Sequence, residues 1–98
     1  MSAARLTVRF PPPGFFLMDA TLTVRLDGGA IYQGSFKSGF EVSGELWPGS
    51  HTLEASIAMG MVQRTRSFAV ELAPGQALTA ELAYSRLWGN FKKRLKLS

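Results

Sequence analysis

Around Pro48 and Gly49 the chain turns between two stretches in which apolar and polar residues alternate, and this pattern constrains the fold more than any other feature. Pro48 presets φ for the second position of a tight turn, and Gly49 supplies the positive φ that a type II turn needs at its third. Residues 46–53, with Leu46 and Trp47 before the turn and Ser50, His51, Thr52 and Leu53 after it, therefore read as a turn between two half-buried strands. Pro74 and Gly75 repeat the device later in the chain.

The period of two recurs almost everywhere. Leu6, Val8 and Phe10 share a face against Arg5, Thr7 and Arg9, and Leu22, Val24 and Leu26 do so against Thr21, Thr23 and Arg25. Asp27 and Gly28 then form a hairpin signal ahead of a short strand over residues 31–36. Lys37, Ser38 and Gly39 make the next turn. Phe40, Val42 and Leu46 face inward in the following strand, where Gly44 leaves a gap for a bulge or a bulky neighbour. Leu53, Ala55, Ile57 and Met59 form one inward row, Phe68, Val70 and Leu72 another, and Leu78, Ala80, Leu82 and Tyr84 a third. Arg64 and Arg66 share the parity of Phe68, so either a bulge intervenes near Thr65 or the strand overshoots the core and presents both arginines to solvent. No stretch of ten or more residues prefers the helical period. The expected fold is all-β: a small antiparallel β-sandwich of seven or eight strands.

Two regions break the alternation. Pro11, Pro12 and Pro13 favour an extended connection, and after Gly14 come four large apolar residues, Phe15, Phe16, Leu17 and Met18. These either fold back as a lid over the core or form an exposed patch for a partner or membrane. At the other end, residues 88–98 form a basic terminal strand or tail. Phe91, Lys93, Leu95 and Leu97 fall on one side of it at period two, with Lys92, Arg94 and Lys96 on the other.

A chain of 98 residues, 46% hydrophobic, fits a single domain over residues 1–98 with one core. Without cysteine, packing and strand pairing must hold that core. Four of the last nine residues are basic, which leaves seven basic and seven acidic residues in a neutral body. The start of the chain lacks the apolar run of a signal peptide, so a cytoplasmic protein is expected if Met1 is the native start, with membrane-peripheral attachment as a further option.

Catalytic chemistry finds little footing. His51 is the only histidine, and on a strand it points away from Glu54, so spacing argues against a triad with Ser50 and for a structural role at the mouth of the sandwich. Glu41 and Glu45 share a strand face but lie about 13 Å apart, too far to share an ion or a proton. Gly28 and Gly29 lead into a strand and not a helix, so no phosphate cradle forms. The expectation is a protein that is not an enzyme and uses no metal or cofactor.

Val24, Arg25, Leu26, Asp27 and Gly28 with Ile31 and Gly34, then Pro48, Gly49, His51 and Leu53, and later Val70, Glu71, Leu72 and Gly75 make a pattern of turns and apolar positions over roughly residues 20–83. In this the chain resembles the PEGA-type and carboxypeptidase-regulatory-like small bacterial β-sandwich accessory domains, though the PEGA tetrapeptide itself is absent. The resemblance implies a non-catalytic module working beside other proteins, and it supplies no site residues.

The function expected from sequence is a protein-interaction or assembly module that binds a partner or a second copy through edge strands or the apolar loop 14–18. The alternative is attachment to an anionic membrane surface through the basic aromatic tail, with Trp88 and Phe91 at the interface and Lys92, Lys93, Arg94 and Lys96 on the headgroups. The same tail could stack and neutralise single-stranded nucleic acid, but the neutral body speaks against it. No small-molecule substrate is indicated.

Overall fold

The computed structural model describes residues 3–12, 20–59, 61–85, 90–91 and 94–98. Ten strands follow one another: β1 (Ala4–Phe10), β2 (Thr21–Leu26), β3 (Gly29–Ser35), β4 (Phe40–Leu46), β5 (Gly49–Met59), β6 (Val62–Leu72), β7 (Ala77–Glu81) and three pairs of residues, β8 (Tyr84–Ser85), β9 (Asn90–Phe91) and β10 (Lys96–Leu97). Eight of them build two four-stranded sheets, in the orders β10-β7-β1-β4 and β3-β2-β5-β6, while β8 and β9 pair with each other. The all-β sandwich expected from the alternation is what forms. Among the described residues there is no helix, hence none long and apolar enough to cross a membrane.

The inward rows are the ones the alternation marks. Leu6, Val8 and Phe10, Leu22 and Val24, Leu53, Ala55 and Ile57, and Phe68, Val70 and Leu72 are all buried between the sheets. Each such side chain contributes about 1.5–3 kcal/mol when withdrawn from water, which offsets the ordering entropy of a chain with no cross-links.

One pairing is not antiparallel: β7 runs parallel to β1, from Arg5↔Ala77 to Arg9↔Glu81. β1 and β7 lie near opposite ends of the chain and no hairpin joins them, so nothing in their connection requires the antiparallel sense. Alternation within a strand carries no information about its neighbours, which is why the sequence predicts a wholly antiparallel sandwich.

The turns follow their residues. Asp27 and Gly28 both have positive φ, 50° and 86°, the type I′ geometry of a two-residue hairpin. Gly75 has φ 73° and the Gln76 amide donates to the Ala73 carbonyl at 3.1 Å, a type II turn. At Pro48 the outcome differs: Gly49, with φ 127°, already pairs with Leu72 in β5, and the Trp47 carbonyl is taken by a side chain.

The ladders decide between the alternatives at two positions. β4 stays in step with β1 through Leu6↔Gly44, and β6 stays in step with β5 through Arg66↔Ala55 and Arg64↔Ile57. No bulge interrupts either; β6 overshoots the core instead, with Arg64 exposed and Arg66 half-buried. The bulge lies in β3, where Val24↔Tyr32 gives way to Arg25↔Ala30 and leaves Ile31 as the extra residue. The C-terminal stretch is likewise not one strand: β9 pairs with β8, and β10 joins the edge of β7.

Candidate functional site

β3 and β4 are the end strands of their respective sheets, and they meet through the rings of Tyr32 and Phe40. The two rings stack with centroids 4.4 Å apart and planes 9° from parallel. Beyond the stack the edges diverge and leave a half-open groove of about 310 Å³. Leu6, Val8, Val42, Gly44 and Leu46 line it from one sheet and Leu26 and Ile31 from the other, with Ser43, whose hydroxyl meets Thr7 on the solvent face, as the one polar residue at its rim. Each element contributes for a local reason. The bulge turns Ile31 and Tyr32 toward the core in succession. Gly44, which follows the inward Val42 at period two, has no side chain to close the gap, and a Cβ built there meets nothing within 4 Å.

The mouth of the groove is held by a polar clasp. Beside Leu46 lies a recess formed with Ala3, Asp27, Glu45, Trp47 and His51. His51 Nδ1 donates to Asp27 Oδ2 at 2.6 Å and Nε2 donates to the Trp47 carbonyl at 2.7 Å. The other Asp27 oxygen accepts the Thr52 amide at 2.8 Å, and the Asp27 amide donates to the Thr52 carbonyl. The β2–β3 turn is thereby tied to the chain on both sides of the β4–β5 bend.

Both His51 partners are acceptors, so the imidazolium, with a proton on each ring nitrogen, is the form that satisfies both contacts. The bond to Asp27 raises the His51 pKa, with the Trp47 carbonyl and the nearby Asp27 and Glu71 charges adding to it against a partial loss of solvent. Asp27 is lowered by its bond to His51 and then by the Thr52 amide. Ser50 donates to Glu71, away from the imidazole. Arranged this way, His51 has no nitrogen free to accept a proton from a nucleophile.

The clasp gives stability a defined pH window. The raised His51 stabilises the fold fully below its ordinary value of 6.5, and that contribution is lost as pH rises through the higher folded value. The lowered Asp27 contributes above 3.8, and its contribution is lost as pH falls through the lower folded value. The clasp is therefore strongest between those two ordinary values. Because His51 is the only histidine, its imidazole gives a single NMR titration, expected to have a midpoint above 6.5 that returns toward 6.5 in Asp27→Asn. A wild-type midpoint at or below 6.5 would contradict the doubly donating ring.

Of the residues singled out from sequence, Phe91 is 2% exposed and belongs to the core, its ring 5.8 Å from Phe10 and 5.6 Å from Tyr84. It is not a surface aromatic, because the short β8–β9 pair carries it inward. Arg94 and Lys96 are exposed, and Leu97, 53% exposed, lies opposite Ala80 and lines a recess with Phe68 of β6. Phe15, Phe16, Leu17, Met18, Trp88, Lys92 and Lys93 lie outside the described residues. Sequence reasoning missed the groove and the Asp27–His51 pair. The available signals were Gly44 amid an alternating strand and an aspartate at the left-handed position of a hairpin turn.

Among the described residues no three potential metal ligands converge. No protein-family model matches the chain, and no curated protein sequence matches it.

Proposed function

We propose that the chain is a non-catalytic protein-interaction module that accepts an extended segment of a partner along the free edge of β4, with the segment's apolar side chains entering the groove between β3 and β4. The observation that carries this reading is the coincidence of a regular strand edge, unpaired among the described residues, with an open apolar groove beside it. Backbone groups along such an edge template an added strand, and a groove alongside supplies selectivity for alternate side chains. The bulge at Ile31 spoils the edge of β3 for the same purpose, and β10 at the far edge of its sheet is only two residues long. A small-molecule site needs several convergent polar groups, which this lining lacks. The resemblance to accessory β-sandwich domains points the same way.

A second copy is a poor occupant. Antiparallel pairing of two β4 strands about Ser43 sets each Glu41 against Glu45 of the second copy, and like charges directly opposed destabilise a ladder.

Gly44 provides the test. Its φ is not in the positive range and its Cβ direction is open, so Gly44→Leu fills the groove without disturbing the fold. A fluorescein-labelled peptide of alternating valine and threonine should bind the wild-type protein, shift the amide resonances of residues 41–46, and lose at least about tenfold in affinity to Gly44→Leu. Equal binding to both proteins, or shifts confined to another face, would dispose of the groove reading.

A further inference from the structure

The solvent face of the β10-β7-β1-β4 sheet carries charge in a row that crosses all four strands. Lys96 of β10 stands opposite Glu81 of β7, Glu81 opposite Arg9 of β1, and Arg9 opposite Glu41 of β4. The signs alternate from one strand to the next, and Arg9 Nε lies 3.1 Å from Glu81 Oε1. A second row pairs Arg5 with Glu45, and between the two runs a neutral row in which Thr7 Oγ1 and Ser43 Oγ are 2.7 Å apart. Both charged rows stop at a glutamate on the free edge. Glu41 and Glu45 are exposed, and among the described residues neither makes an ion pair.

β1 shows what such an edge accepts. Its residues Arg5, Leu6, Thr7, Val8 and Arg9 stand opposite Glu45, Gly44, Ser43, Val42 and Glu41: cations against the glutamates, threonine against serine, apolar residues on the core side. The other side of β4 offers the same five residues, and among the described residues no strand pairs with them there.

From this, and resting on the reading of β4 as an acceptor edge, we infer that the partner segment is an extended peptide with basic residues at positions i and i+4 and apolar residues at i+1 and i+3. The two cations continue the alternating rows opposite Glu41 and Glu45, which lie about 13 Å apart along the strand. The small polar residue between them meets Ser43. One apolar side chain lies against Val42 and the other over Gly44, where the missing side chain leaves room for an aromatic ring. The pattern is symmetric about its centre, so it fits whichever way the segment runs.

Three labelled peptides test the inference, each flanked by glycines: one with the core Lys-Phe-Thr-Val-Lys, one with both lysines replaced by threonine, and one with both replaced by glutamate. Fluorescence anisotropy at low salt should rank them in that order, with each step about three- to tenfold. The preference should shrink in half-molar salt, as exposed charge pairs are screened. Glu41→Lys with Glu45→Lys should invert the order. If facing Arg5 and Arg9 with lysines unfolds that variant, Glu41→Gln with Glu45→Gln should fold and bind all three peptides equally. Equal binding of the three peptides to wild-type protein overturns the charge inference while leaving the groove reading standing, provided Gly44→Leu still weakens them all. Failure of all three to bind overturns both.

Discussion

Phe10→Ala is expected to lower the stability of the domain by about 3–5 kcal/mol, a large share of the roughly 5–15 kcal/mol that holds a domain of this size together. Phe10 is 1% exposed at the end of β1, and its ring lies 5.3 Å from Phe36, 6.5 Å from Phe40 and 5.8 Å from Phe91. It therefore touches the ring that follows β3, the ring that opens β4 and the ring that β9 carries inward. Truncation leaves a cavity at the convergence of these elements, and the sheets on either side are too well hydrogen-bonded to collapse into it. Urea denaturation should show a lower midpoint with an unchanged slope, and the melting temperature should fall by about 4–8 °C for each kcal/mol lost. Phe10→Leu, which keeps most of the volume, should cost much less. A loss below about 1 kcal/mol for Phe10→Ala would mean that the aromatic end is not the keystone of the core.

What could be read from the sequence is what depends on neighbours along the chain. The burial of Leu53, Ala55 and Ile57 follows from their spacing alone, and the I′ turn at Asp27 and Gly28 follows from two residues that tolerate positive φ. What could not be read depends on which strands become neighbours. His51 meets Asp27 because β2 lies beside β5 with Leu26 opposite Leu53, a pairing that alternation leaves open. The charge rows are invisible until β10, β7, β1 and β4 are placed in order, since Lys96, Glu81, Arg9 and Glu41 come from four separate stretches. The overshoot of β6 and the bulge at Ile31 lie between these extremes. Parity showed that something had to give near Arg64 and Arg66, but a ladder tolerates arginines at its rim, while the register shift in β3 is set by its partner strand.

The groove rests on a turn whose geometry admits one residue. Gly39 has φ 66°, and a Cβ there would run into the Phe10 carbonyl oxygen and come within 2.8 Å of the Pro12 nitrogen. Both are backbone atoms, so neither can rotate away as a flexible side chain would. Gly39→Ala is expected to cost about 2–4 kcal/mol, of which about 1–2 kcal/mol is the left-handed backbone and the rest the displacement of β1's end from the turn. Two other glycines calibrate this. Gly28 has φ 86° but open space around its Cβ, so Gly28→Ala should show the backbone cost alone. Gly44 has neither constraint, so Gly44→Ala should leave stability within about 0.5 kcal/mol of wild type. Denaturant midpoints of the three variants should therefore rank Gly44→Ala, Gly28→Ala and Gly39→Ala from highest to lowest. If Gly39→Ala matched Gly28→Ala, the close approach to Phe10 and Pro12 would carry no energy. The ranking also bears on function. The Gly39 turn fixes the end at which β3 and β4 meet, and only with that end pinned does their divergence leave a groove of constant shape beside the glutamate-bearing edge.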